Sequence, residues 1–163
     1  MLLFLDYDGV LHPDDVFLMS DGRIELRAEG HLFMWAPVLV EMTDDLDVQI
    51  VLSTSWVRHL GFRRVRKALP YPLSSKVVGA TWHSAMKLNG AGHIRWDGQT
   101  RYEQIESYLR RLPSNSNWLA IDDDSAGWPD DKREHLICTD PRIGLSDAGV
   151  GQELRKRLLK GCK

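Results

Sequence analysis

The sequence predicts an α/β protein: a doubly wound parallel sheet of about five strands with helices on both faces. Three observations carry this prediction. Short apolar runs rich in Val, Ile and Leu recur along the chain, near-continuous rather than alternating, as in strands covered on both faces. Helical patterns fill most of the gaps between them. Two of the runs end abruptly in acidic residues, and it is at the carboxyl edge of such a sheet that ligands bind.

The strands are expected at Leu2 to Asp6, Val48 to Thr54, Lys76 to Gly79, Asn117 to Asp122 and His135 to Thr139. Helices are expected at Pro37 to Leu46, where proline suits a first turn, at Trp56 to Leu69, at Arg101 to Leu112, and at Asp147 to Leu159 with Ser146 as its N-cap. One segment departs from the pattern. In "VFLMSDGRIELRA", Asp21-Gly22 marks a turn and Ile24, Leu26 and Ala28 alternate with charged residues, the signature of a hairpin.

With 163 residues and 43% hydrophobic content, the chain is long enough for one domain with a substantial core. A single domain over 1–163 is expected, with a hairpin flap at about 14–29 and a candidate substrate loop at about 80–100. A formal charge of −2, from 21 Lys plus Arg against 23 Asp plus Glu, gives no global attraction to nucleic acid or membrane. Cys138 and Cys162 are far apart and form no disulfide or zinc pattern. No apolar run approaches a membrane span, and the apolar start lacks the basic flank of a secretion signal. A cytoplasmic, reduced location is the expectation.

The strand ends gather the chemistry. The first closes in Asp6-Tyr7-Asp8-Gly9, the second in Ser53-Thr54-Ser55, the fourth in Asp122-Asp123-Asp124. Carboxylates crowded at one edge are costly without a cation among them, and hard oxygen donors at an open site favour Mg2+, which would in turn hold a phosphoryl group. Asp-Gly alone reads equally as a turn, but a buried strand seldom ends in two carboxylates without a role.

These residues resemble the four motifs of the haloacid dehalogenase (HAD) superfamily of phosphotransferases, in order: "FLDYDGVL", "IVLSTSW", Arg101 before "RYEQIESYL", and "LAIDDDSAGW". Together with "VVGAT" and "GLS", the pattern further resembles the HAD domain of Swiss-army-knife RNA-repair proteins. The resemblance implies a HAD-like, three-layer Rossmann-like fold and a Mg2+-dependent phosphatase acting through an aspartyl-phosphate. Asp6 would be the nucleophile and Asp8 the general acid and base. Asp6, the main-chain carbonyl of Asp8, and Asp123 would bind the metal, with Asp122 in support. Thr54, Ser55 and Arg101 would bind the phosphoryl group, with Ser53 an alternative for the hydroxyl at this strand end; Lys76 and Lys87 are the other candidates for the third motif.

The chain has no room for a full cap domain, and capless HAD enzymes often act on the ends of macromolecules, so the implied partner is a phosphorylated substrate such as a nucleic-acid end. Arg58 in "RHLGFRRVRKAL", and Trp82, Lys87 and Trp96 in "ATWHSAMKLNGAGHIRWDGQTR", are candidate substrate contacts. The bland readings are a solvated basic helix face and tryptophans that cover the sheet edge. Trp35, Trp56, Trp118 and Trp128 read as packing, and His12, His31, His59 and His135 lack ligand spacing. Two alternatives stand beside this: a phosphatase for a small metabolite or mononucleotide, and a non-catalytic, receiver-like Mg2+ and phosphate module. Receivers carry the accepting aspartate on a later strand, whereas here the paired aspartates close the first.

Overall fold

The computed structural model describes residues 1–88, 95–114 and 116–162. Five parallel strands form one sheet: β1 (Leu2–Leu5), β4 (Gln49–Leu52), β5 (Val77–Ala80), β6 (Trp118–Asp122) and β7 (Leu136–Cys138), in the order β5-β4-β1-β6-β7. A separate antiparallel hairpin, β2 (Val16–Leu18) and β3 (Ile24–Leu26), turns at Gly22, whose φ of 80° a residue with a Cβ adopts poorly. All five expected strands and the hairpin are present. The chain first builds outward from β1 to β5 and then returns to the other side of β1, so the order reverses between β1 and β6. A crevice opens at the carboxyl end of such a reversal, and there Asp6 follows β1 and Asp122 ends β6.

Alternation along the strands distributes the core between two faces. Leu3, Leu5, Ile50, Leu52 and Ile121 face α1 (Ala36–Thr43), α2 (Trp56–Leu60), α3 (Phe62–Ala68), α4 (Tyr71–Ser74) and α6 (Ala148–Gly161). Phe4, Val51 and Ala120 face α5 (Arg101–Leu109) and the segment around Trp128. The sheet is covered on both faces, as expected, but unequally: five helices against one.

Three local details differ from expectation. The helix expected at Trp56 to Leu69 is two helices, because Gly61 takes φ 83° and ψ 149° and ends one while starting the next. The last helix is capped by Asp147, whose carboxylate accepts from the N–H groups of Gly149 and Val150, while Ser146 bonds back to Ile143. The short α4 follows Pro70 and was not foreseen. The loop at 80–100 carries 3-10 turns at Ser84–Leu88 and Arg95–Gly98, and its 89–94 stretch lies outside the described residues. Among the described residues no helix is long and apolar enough to cross a membrane.

Candidate active site

Asp6 follows a strand with no exposed side of its own, which fixes its backbone: its N–H donates to Ile121, and Leu5 accepts from Ser53 on the other side. The carboxylate is 4% exposed. Oδ1 accepts from the N–H of Tyr7 at 2.7 Å and Oδ2 from Arg101 at 2.7 Å, and the neighbouring Thr54 hydroxyl favours the ionised form. Burial pushes the Asp6 carboxyl above the ordinary value, against the pull of Arg101.

Asp122 ends β6 and is 1% exposed. Its Oδ2 lies 2.8 Å from Arg101 Nε, an ion pair without aligned hydrogen-bond geometry, and its Oδ1 accepts from the N–H of Asp124. Burial first, then the charge of Asp6, raises its carboxyl well above the usual range. Asp123 follows, pushed up to about 7 by burial and then by Asp6. Oxygens of Asp6, Asp122 and Asp123 lie within 4.8 Å of one another. Gly9 allows this approach: at its φ of 66° a Cβ would collide with the Asp123 carboxylate, and its carbonyl is held by the Thr139 hydroxyl at 2.8 Å.

Three carboxylates stand here against one guanidinium. Such an excess, made only of hard oxygen donors in a partly water-excluded pocket, fits a divalent cation of the Mg2+ type. Asp122, expected only as support, belongs to this trio. The Asp8 carboxylate does not; it points elsewhere.

Asp8 accepts from Trp56 Nε1 with both oxygens, at 3.0 and 2.9 Å, and bonds His12 Nε2 at 3.1 Å. His12 is fully buried, and its Nδ1 accepts from the N–H of Phe33 at 3.3 Å. Nδ1 is therefore the acceptor of the ring and Nε2 carries the proton toward Asp8. Phe33 holds this donor in place with φ 62°, the one positive φ outside glycine among the described residues. Tyr7, Phe33 and Trp56 meet edge to face around them. Trp56 packs in the core as expected and His12 is in no ligand cluster among the described residues, but sequence reasoning missed that both side chains also hydrogen-bond Asp8.

Arg101 opens α5 under a capping box, Thr100 with Glu103, which aims its side chain over the sheet edge. Its guanidinium reaches Asp6, Asp122 and Gln104 Oε1, and the buried Gln104 amide donates in turn to the carbonyls of Trp96 and Gln99. Lys76, the rival for this position, donates to Leu46 from the start of β5, at the opposite edge of the sheet; the Lys87 side chain lies outside the described residues. Of the three hydroxyls, Thr54 neighbours Asp6, Ser53 is 1% exposed without a side-chain partner among the described residues, and Ser55 starts α2 beside Asp8.

A cleft of about 190 Å3 opens at Asp8 between Ser55 and Trp56 and the hairpin side chains Val16, Leu18 and Ile24. Arg64 Nη2 donates to the Gly22 carbonyl at 2.6 Å and ties the hairpin tip to α3. Trp82 and Trp96, expected to stack on substrate, are 5% and 7% exposed and pack into the large core, so neither presents a ring face to a ligand. Arg58 is engaged by Asp97 at 3.1 and 3.2 Å.

The model of a known family, the HAD domain in Swiss Army Knife RNA repair proteins, matches residues 2–150. The chain belongs to this family. No curated protein and no solved structure matches it. The matched span holds every residue of the site above, and membership makes this HAD domain a hydrolase of phosphatase type.

Proposed function

We propose that the chain hydrolyses a phosphomonoester through a phosphorylated Asp6, with nucleic-acid ends as the substrate class. One observation supports this above the rest: Asp6 and Asp8 share a strand end but point into different surroundings, one toward an acid cluster with an arginine, the other toward an open cleft. An enzyme that needs a nucleophile at phosphorus and a proton at the leaving oxygen requires this division.

Asp6 attacks phosphorus in line, and the bond to the leaving oxygen breaks as Asp8 protonates that oxygen. Asp8, now a carboxylate again, takes a proton from water, which attacks the aspartyl-phosphate and frees phosphate and Asp6. Arg101 and the Thr54 hydroxyl meet the equatorial oxygens, while Trp56 and His12 hold Asp8 on the leaving-group side. Asp6, Asp123 and the Asp8 carbonyl would hold Mg2+, with Asp122 beside them, and the ion would neutralise charge on the phosphoryl group. The small volume of the Asp8 cleft favours a second reading, in which the leaving group is a mononucleotide or small metabolite.

Phosphate release is measured from a 3′-phosphorylated oligonucleotide, a mononucleotide and p-nitrophenyl phosphate, with Mg2+ or EDTA, for wild type and Asp6→Asn. Turnover that needs Mg2+ and vanishes in Asp6→Asn is the expected result. Folded, Mg2+-binding protein that turns over none of the three leaves the non-catalytic, receiver-like module as the reading.

A further inference from the structure

The cleft at Asp8 has a neighbour. His59 and Leu60 line one side of the cleft and also line a second groove, of about 800 Å3, between α2, α3 and the outer end of β5. Three arginines, Arg58, Arg63 and Arg64, line this groove beside His59 and His83, and no carboxylate is among its lining residues. Arg58 is neutralised by Asp97, but Arg64 has a main-chain carbonyl as its partner and keeps its full charge, and exposed Arg63 is in no ion pair among the described residues. The floor is apolar, with Leu60, Phe62, Val78 and Ala80, and Val78 is 51% exposed although it belongs to a strand. An apolar floor under a cationic rim accepts flat rings and the phosphates between them.

We propose that the two cavities form one track for a single-stranded oligonucleotide. The terminal nucleoside, bearing the phosphomonoester, lies under the hairpin beside Asp8; the next phosphate crosses at His59, and the following nucleotide rests on Leu60, Phe62 and Val78 with Arg63 and Arg64 at its backbone. A cleft of about 190 Å3 matches a single nucleoside better than a base pair, so the proposed occupant is an unpaired end. This rests on the phosphatase reading for the chemistry, but the track is a binding site in its own right.

The experiment compares wild type, Arg63→Glu and Arg110→Glu. Arg110 lies at the end of α5, outside the groove, and its substitution makes the same change in net charge. Two quantities are read: kcat/KM for 3′-phosphorylated mono-, di- and hexanucleotides relative to p-nitrophenyl phosphate, and the anisotropy of a labelled hexanucleotide titrated with each protein. The track predicts that relative kcat/KM rises about tenfold from mononucleotide to dinucleotide or longer, that Arg63→Glu removes about that factor and weakens hexanucleotide binding similarly, and that Arg110→Glu does neither. Equal turnover of all lengths, with Arg63→Glu and Arg110→Glu indistinguishable in both assays, overturns the track and leaves the phosphatase standing. Hexanucleotide binding lost in Arg63→Glu, with no turnover of any substrate, supports the track and overturns the phosphatase reading. Displacement of the hexanucleotide by polyglutamate as readily as by unlabelled hexanucleotide shows a general acidic-peptide groove and overturns the assignment to a nucleic acid.

Discussion

Asp6 and Asp8 are two residues apart, and the side chain between them, Tyr7, is fully buried and hydrogen-bonded to Val65. That anchor turns the two carboxylates to separate neighbours, and the neighbours differ in kind: charged groups around Asp6, neutral ring donors around Asp8. Trp56 gives its one N–H to both Asp8 oxygens, and hydrogen bonds to a charged group contribute about 1.5–3 kcal/mol. Trp56→Phe keeps the ring in the Tyr7 and Phe33 cluster and removes only that donor. The expected result is a kcat about 10- to 100-fold lower with KM little changed and a melting temperature lower by several degrees; unchanged kcat would show that His12 alone orients Asp8. The aspartates were readable in the sequence because they abut a strand end, where composition changes within one residue. Trp56, His12 and Gln104 were not, because each acquires its role from a partner that only the fold brings near: Trp56 is 48 positions from Asp8, and an isolated His or Trp in an apolar stretch reads as core.

At the scale of elements, boundaries depended on single residues that periodicity averages over. The apolar repeat runs through Gly61, so a continuous helix was the natural reading of 56–69, yet the break at Gly61 is what turns α3 and its arginines toward the groove. A Cβ at Gly61 would meet nothing within 4 Å. The cost of Gly61→Ala is therefore conformational alone, and for φ 83° and ψ 149° it is about 1–3 kcal/mol. At this chain length that lowers the melting temperature by about 2–4 °C per kcal/mol. A melting temperature at or above that of wild type in calorimetry would mean that α2 and α3 tolerate fusion into one helix. The central strands were legible because both faces of β1, β4 and β6 are buried and their apolar runs are unbroken, whereas β5 leaves Val78 exposed; Asp147 displaced Ser146 as a cap because aspartate reaches two N–H groups at once.

Across the whole molecule, the strand order accounts for the site more than any one motif does. β1 is central, β6 pairs with it where the order reverses, and the two acidic strand ends are driven together by the same register that buries Leu3, Phe4 and Leu119. The fold thereby concentrates repulsion at one edge: three carboxylates within 4.8 Å and a single arginine between two of them. A structure that carries such a cluster is less stable than the same fold without it, and binding a cation reverses the deficit by mass action. Asp123 is the member to test, because it is more exposed than Asp6 and Asp122 and makes no ion pair among the described residues, so replacing it disturbs packing least. Above about pH 7, where Asp123 is mostly ionised, Asp123→Asn removes one charge and keeps the shape, and the comparison is made there. In EDTA it is expected to melt at a higher temperature than wild type; with Mg2+ added, wild type gains and Asp123→Asn gains little, so the order of the two narrows or inverts while phosphatase turnover in the variant falls. A variant that melts lower than wild type in EDTA and keeps the full Mg2+ shift would mean that Asp123 is a structural acid, held by its surroundings, and that the ion binds elsewhere.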